Sequence, residues 1–318
     1  MASNHWLLAW LGLELNTLSM LPIIMKTKHP RATEAATKYF IMQATAAAMI
    51  LFASTLNAWQ TGQWSIMHMD STIPTTMMAL ALVLKLGLAP MHFWYPEVLQ
   101  GTTMNTAMII STWQKLAPLS LLFLMTSHLP TNTLLLVGLV SILVGGWTGM
   151  NQTQTRKIMA FSSIAHVGWL VIALTITPSL ATLTLLIYMT MTTTMFSSLN
   201  MTTTKTLKDL GTNWTQSPPM MMMTMITLVS LGGLPPLTGF MPKWLILKEL
   251  TTMDLVTLCT SMALASLPSL FFYIRMCYLT MLTAPPNTTA IECKWRLKSN
   301  YQKSLLPMIT LAALLLPM

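Results

Sequence analysis

Apolar stretches long enough to cross a bilayer recur from one end of this chain to the other, and nothing else constrains its fold as strongly. Ten such segments can be marked, roughly at residues 4–25, 38–60, 74–98, 103–126, 131–150, 156–178, 179–200, 218–250, 254–280 and 304–318. A helical span needs about 20 apolar residues. Charged residues make up 8% of the 318 positions, against about 25% in an ordinary soluble domain, so the chain could not cover its own surface in water. The short alternating segments of an outer-membrane barrel are not seen. The sequence predicts an all-α polytopic membrane protein of about ten transmembrane helices.

Three segments have irregular features. The third contains Lys85-Leu-Gly-Leu-Ala-Pro90 and the eighth contains Gly233-Leu-Pro-Pro236. Proline removes a backbone hydrogen bond and breaks a helix, so both read as broken spans. The last segment offers 15 residues, about 22 Å at ~1.5 Å per residue, which is short for a core of ~30 Å. The opening run outlasts a signal peptide and contains Glu14, which predicts no cleavable leader. Cys259, Cys277 and Cys293 share no metal or redox spacing and read as lone packed thiols. The 31 methionines exceed what a gap-filling residue needs. A genetic code with extra Met codons, such as the mitochondrial one, would produce them.

The basic residues give the orientation. Three of the 17, Lys85, Lys115 and Lys243, fall inside spans. Thirteen others (Lys26, Lys28, Arg31, Lys38, Arg156, Lys157, Lys205, Lys208, Arg275, Lys294, Arg296, Lys298 and Lys303) lie on the side reached after the first, fifth, seventh and ninth spans, and only Lys248 lies on the other. This is the positive-inside pattern, and one miscounted segment would scatter it. The net charge of +9 is therefore topological. Nucleic-acid binding would need a basic folded surface, and short loop clusters do not make one.

The informative charges are those left inside: Glu14, Lys85, Lys115 and Lys243, with His166 as a fifth candidate. An ion at the bilayer centre costs about 2.5–3.5 kcal/mol, and such groups face a bundle interior or a hydrated cavity and mark ion or proton routes. Lys85 lies between Met77–Leu84 and Leu86–Met91 and cannot snorkel to either surface. Burial disfavours the charged form of lysine and a nearby carboxylate favours it, so a Lys near a hydrated Glu can load and release a proton. The competing explanation is a static Glu–Lys pair that fixes helix register, and three lysines on separate spans with one acidic partner argue against it. Interrupted helices at membrane depth line cavities. Here they fall on the third and eighth spans, which cross in opposite directions, as in inverted-repeat transporters. This predicts halves at 1–126 and 127–280, followed by a loop and last helix at 281–318.

His166 sits in Ala160-Phe-Ser-Ser-Ile-Ala-His-Val-Gly-Trp169, among small residues that allow close helix approach, and its ordinary pKa suits proton relay. A hydrogen bond to a neighbouring helix explains it equally well. His92 and Glu97 flank the end of the third span, where groups meeting water at the interface explain them better than a proton uptake or release role. His5, His29, His68 and His128 lie at span ends or loops. No histidine pair has haem-clamping separation, and there is no P-loop or dinucleotide fingerprint, so no redox cofactor is expected in this chain.

The stretches Asn151-Gln-Thr-Gln-Thr-Arg-Lys-Ile-Met-Ala-Phe-Ser-Ser-Ile-Ala-His166 and Gly232-Gly-Leu-Pro-Pro-Leu-Thr-Gly-Phe-Met-Pro-Lys243 resemble the two signatures of the antiporter-like subunits of respiratory complex I. His5-Trp-Leu-Leu-Ala-Trp-Leu-Gly-Leu-Glu14-Leu-Asn16, Pro30-Arg-Ala-Thr-Glu-Ala-Ala-Thr-Lys-Tyr-Phe40, Pro90-Met-His-Phe-Trp-Tyr-Pro-Glu97 and Thr112-Trp-Gln-Lys115-Leu-Ala-Pro118 are similar to the vertebrate mitochondrial type, and the resemblance spans nearly the whole chain. It implies the antiporter-like fold with inverted five-helix repeats and two broken helices. Glu14 and Lys85 would be the family's glutamate–lysine pair, Lys115 its central lysine, His166 the histidine of its hydrated axis, and Lys243 the lysine of the second broken helix. The chain would move protons in the mitochondrial inner membrane, basic loops on the matrix side, with neighbouring antiporter-like subunits and lipid as partners. NAD, FMN, iron–sulfur clusters and ubiquinone would bind other subunits. The family also implies an apolar helix before His5, absent here, and a longer last span, so the sequence is expected to be incomplete at both ends. The rival readings are a stand-alone cation/proton antiporter, which would work in isolation, and a structural subunit with static buried ion pairs.

Overall fold

The computed structural model describes residues 4–69, 71–212, 218–235, 237–281, 309, 310 and 312. The tenth predicted span and the basic cluster Lys294, Arg296, Lys298 and Lys303 lie mostly or wholly outside these residues, as do Pro236 and Cys293. The described residues are helical throughout: α1 (Trp6–Met25), α2 (Pro30–Thr61), α3 (Thr72–Leu86), α4 (Trp94–Gly101), α5 (Met104–Ser111), α6 (Trp113–Leu124), α7 (Thr131–Met150), α8 (Thr155–Ile176), α9 (Pro178–Met201), α10 (Leu207–Thr212), α11 (Pro218–Gly232), α12 (Phe240–Thr252) and α13 (Val256–Thr280). Among the described residues, seven helical segments are long and apolar enough to cross a membrane. Two more apolar helices, α3 and α11, are shorter because each stops at a break.

The chain divides into two compact units. One comprises Met1–Ser141 and His166–Pro178, the other Ile142–Ala165 and Ser179–Met318. In the first unit α2 packs against α1, α3 and α4, and α6 packs against α3, α5 and α1. Close approach comes from small residues, as expected where lipid gives helices no hydrophobic reason to associate. A Cβ on Gly101 would lie 2.6 Å from the Ala35 Cβ, so α4 and α2 touch backbone to backbone. In the second unit α13 is the common neighbour of α10, α11 and α12, and Gly146 and Gly149 admit Pro268 and Phe272 of α13 against α7.

Caps and breaks are where local chemistry decides. His5 and His29, which carried no functional signal in the sequence, accept the Leu7 and Arg31 backbone N–H groups at 3.2 and 3.1 Å and start α1 and α2. Asp209 starts α10 by accepting the Thr206 and Lys205 N–H groups at 2.8 and 3.0 Å. Burial alone would raise its pKa, but these bonds outweigh burial and hold its carboxyl below the ordinary aspartate value.

Both predicted breaks are present, and both have the same backbone. At the first, the Gly87 N–H bonds to the Leu84 carbonyl and the Leu88 N–H to Val83, each at 3.1 Å. At the second, the Gly233 N–H bonds to Ser230 at 3.0 Å and the Leu234 N–H to Val229 at 3.5 Å. This is the Schellman pattern, which needs a residue in the left-handed region after the helix. Glycine supplies it at φ 71° and 77°. The third interruption was not foreseen: the fourth predicted span, 103–126, is α5 and α6 joined at Thr112 (φ −112°, ψ −72°). The Thr112 hydroxyl bonds back to the Met108 carbonyl at 2.7 Å, a competition with the helix ladder that bends helices.

Candidate functional site

Lys85 occupies the last turn of α3, one residue from its end, and Lys115 the first turn of α6. Both are buried, at 5% and 4% exposure. They line one cavity of about 20 Å³ in the first unit, with Tyr39 and Gln43 of α2, Trp94 of α4 and Gln114 of α6 also in its wall. A water needs about 10–15 Å³ by such a measure, so the cavity has room for one.

The two lysines are held differently. The Lys115 ammonium lies 4.8 Å from the Tyr95 ring centroid, within reach of a cation–π attraction. The Lys85 Nζ is buried with no hydrogen-bond partner. Its backbone carbonyl is the one that is bonded, accepting the Gln43 Nε2–H at 3.3 Å. Glu14, half-buried on α1, forms no ion pair with Lys85 within 4.0 Å. Its Oε2 instead accepts the Thr17 hydroxyl at 3.1 Å, and it acts on Lys85 through space. The glutamate–lysine pair implied by resemblance is therefore an electrostatic relation here rather than a contact.

Polar groups that the sequence reading did not single out complete this region. Asn16 and Gln114 exchange two hydrogen bonds, at 2.8 and 3.0 Å, joining α1 to α6. The Tyr39 hydroxyl donates to the Gln114 Oε1 at 3.5 Å. Gln43, which also lines the cavity, lies in the second span, which carries two further amides, Asn57 and Gln60, so nothing in the sequence sets it apart.

Lys243 lies on α12 in the second unit, half-buried, and donates to the Gly232 carbonyl at 2.9 Å. That carbonyl closes α11, where the helix dipole is negative and a cation is favoured. His166 stands in the middle of α8, half-buried. Of the span-end pair, His92 is buried with its Nδ1 3.2 Å from the Pro90 carbonyl. Glu97 shares Lys38 with Glu34, at 2.6 and 2.5 Å, on an exposed surface. The described residues contain no group of His, Cys, Asp and Glu able to hold a metal ion.

Residues 3–269 match the family described as NADH:quinone oxidoreductase/Mrp antiporter, transmembrane, and residues 270–318 match the NADH dehydrogenase subunit 2 C-terminus. The NADH-ubiquinone oxidoreductase chain 2 of Carassius auratus is 54% identical over all 318 residues, with 91% of that protein covered. The chain belongs to the NADH-ubiquinone oxidoreductase chain 2 family. Other chain 2 proteins agree: that of Salmo salar is 54% identical with 91% of it covered, and that of Xenopus laevis 49% over 99% of this chain and 92% of its own length. A chain of respiratory complex I from Thermus thermophilus with bound Aureothin aligns with 98% of this chain and 72% of its own, at TM-score 0.85 and 25% identity. A chain of the Mrp complex from Dietzia sp. DQ12-45-1b, 16% identical, shares the fold over 90% of this chain and 58% of its own at TM-score 0.80. The chain is thus an all-helical, multi-pass membrane protein with the antiporter-like fold.

Proposed function

We propose that this chain, as a membrane-arm subunit of NADH:ubiquinone oxidoreductase, carries protons through its buried lysines. Family membership supports the assignment to complex I. One observation carries the path: Lys85 and Lys115, both buried, line the same water-sized cavity at a helix break. A buried ammonium without a hydrogen-bonding partner is costly, and its ways out are to bind water or to give up a proton. A proton leaving Lys85 to a cavity water leaves a neutral amine, which can then accept another. Lys115 is the next acceptor on that cavity.

Glu14 modulates Lys85 by its charge, His166 is a relay group on α8, and Lys243 serves the second half, facing the next antiporter-like subunit. This reading takes the chain as about ten spans, four in the first half of the inverted repeat at 1–126, five in the second half at 127–280 and the last in 281–318, supported by the matching breaks after Gly87 and Gly233. It places the protein in the mitochondrial inner membrane, basic loops toward the matrix, among lipid and neighbouring antiporter-like subunits. Flavin, iron–sulfur and quinone chemistry belongs to other subunits, whose electron transfer drives proton movement here.

The test is Lys85→Met in the assembled complex reconstituted into vesicles. Proton pumping per NADH oxidised is expected to fall, with assembly retained. Normal pumping would sink the transport reading and leave Lys85 a structural residue.

A further inference from the structure

Tyr39 is buried on α2, at 2% exposure, in the wall of the cavity that Lys85 and Lys115 share. Its ring stands edge-on to Trp94, centroids 6.0 Å apart, which fixes the phenol while leaving the hydroxyl hydrogen free to turn about the C–O bond. The hydroxyl donates to the Gln114 Oε1 at 3.5 Å, beyond the usual 2.5–3.0 Å of an O–H···O bond, so turning away forfeits little. Gln114 does not depend on that contact, because the two bonds to Asn16 already hold its amide. Glu14 lies on α1 two residues before Asn16, which shares Gln114 with Tyr39. It has no ion pair with Lys85, so protons exchanged between them need an intermediary.

Resting on the reading of the chain as a proton carrier, we propose that the Tyr39 hydroxyl relays protons between the lysine cavity and Glu14. A phenol is both donor and acceptor, which suits it to the task. Lys85 gives a proton to a cavity water. The Tyr39 oxygen takes a proton from that water as its own hydrogen leaves, directly or through a further water, for the Glu14 carboxylate. The step ends with a neutral lysine amine, a protonated glutamate and an unchanged tyrosine. No charge is left on the phenol, and no oxidant or reductant is consumed.

The experiment is Tyr39→Phe in the full complex in vesicles, beside Lys85→Met and Gln114→Met. The phenylalanine keeps the ring and its packing and removes the hydroxyl, both as a relay and as the weak donor to Gln114, and Gln114→Met controls for the second loss. Coupled pumping is expected to fall about tenfold, a conservative share of the ~100-fold a positioned proton-transfer group commonly supplies, while Gln114→Met loses less. Equal losses in Tyr39→Phe and Gln114→Met would overturn the relay, since the hydroxyl would then only anchor the amide. Normal pumping in Tyr39→Phe with impaired Lys85→Met also overturns the relay but leaves the proton-carrier reading standing, whereas normal pumping in both removes that reading as well. Should Tyr39→Phe fail to assemble, Tyr39→His carries the test. Its ring nitrogens keep a donor and an acceptor in place, so pumping that survives supports the relay and pumping that is lost overturns it.

Discussion

The two broken helices share one backbone solution and use their lysines in opposite ways. After α3 and after α11 the chain makes the same pair of hydrogen bonds and turns on a left-handed glycine. Each break leaves helix-terminal carbonyls without their intrahelical donors. At the first, Gln43 of α2, a neutral amide, donates to the Lys85 carbonyl at 3.3 Å. At the second, Lys243 itself reaches back from α12 to the Gly232 carbonyl at 2.9 Å. The second lysine is occupied as a cap, while the first lies buried with its ammonium uncommitted. One lysine is therefore committed to a helix end in this structure and the other is not.

This contrast is broken most directly by Lys243→Met beside Lys85→Met, with thermal dissociation of the purified complex as readout. Losing a charge-assisted bond to a helix end costs about 1.5–3 kcal/mol, so Lys243→Met is expected to melt earlier, toward the low end of that range because the side chain is only half-buried. Lys85→Met removes an ion whose placement costs about 2.5–3.5 kcal/mol, so its stability is expected to hold or rise even as pumping falls. Equal melting shifts in the two variants would mean that both lysines are structural.

The glycines sharpen the comparison at a smaller scale. Gly87→Ala and Gly233→Ala each force a side chain into the left-handed region, at about 1–2 kcal/mol. The added methyl then meets different neighbours. At Gly87 it would lie 3.2 Å from the Tyr95 Cβ and 3.3 Å from the Trp94 ring, which cannot move freely. At Gly233 it would lie 2.9 Å from the Lys243 Nζ, the tip of a flexible side chain, and 3.2 Å from the Gly239 carbonyl oxygen. We expect Gly87→Ala to lower the dissociation temperature more, and Gly233→Ala chiefly to dislodge Lys243 from its carbonyl. A Gly233→Ala complex as unstable as Lys243→Met would show that the cap, not the turn, holds the second break.

These devices differ in how far the sequence reveals them. The breaks were legible because glycine and proline act on the backbone locally, and the lysines because an ion in an apolar run has no bland surface explanation. The kink before Lys115 was not, since threonines are common in the helices of this chain and many of their hydroxyls bond to carbonyls of the preceding turn, so Thr112 carries no distinguishing mark in the sequence. Asn16, Tyr39 and Gln114 were invisible for a different reason. Each is an ordinary residue in its own helix, and only the packing of α1, α2 and α6 brings them together. Of the five residues chosen from sequence, Lys85 and Lys115 share a cavity, while Glu14 bonds to Thr17 rather than to a lysine.

The smallest effect tests whether the first break needs its neutral cap. Gln43→Leu conserves size, keeps α2 apolar, and removes the donor to the Lys85 carbonyl. A buried carbonyl left unsatisfied costs about 1–3 kcal/mol, and the low end applies here because a 3.3 Å bond is weak. Freed of Gln43, the end of α3 would present its carbonyl to the ammonium nearest to it along the chain, that of Lys85 itself. The first break would then become a version of the second, with its lysine bound to a helix end rather than uncommitted. The expected result is a small drop in dissociation temperature with a disproportionate fall in pumping. A drop in stability alone would show that Gln43 caps the helix without keeping Lys85 available.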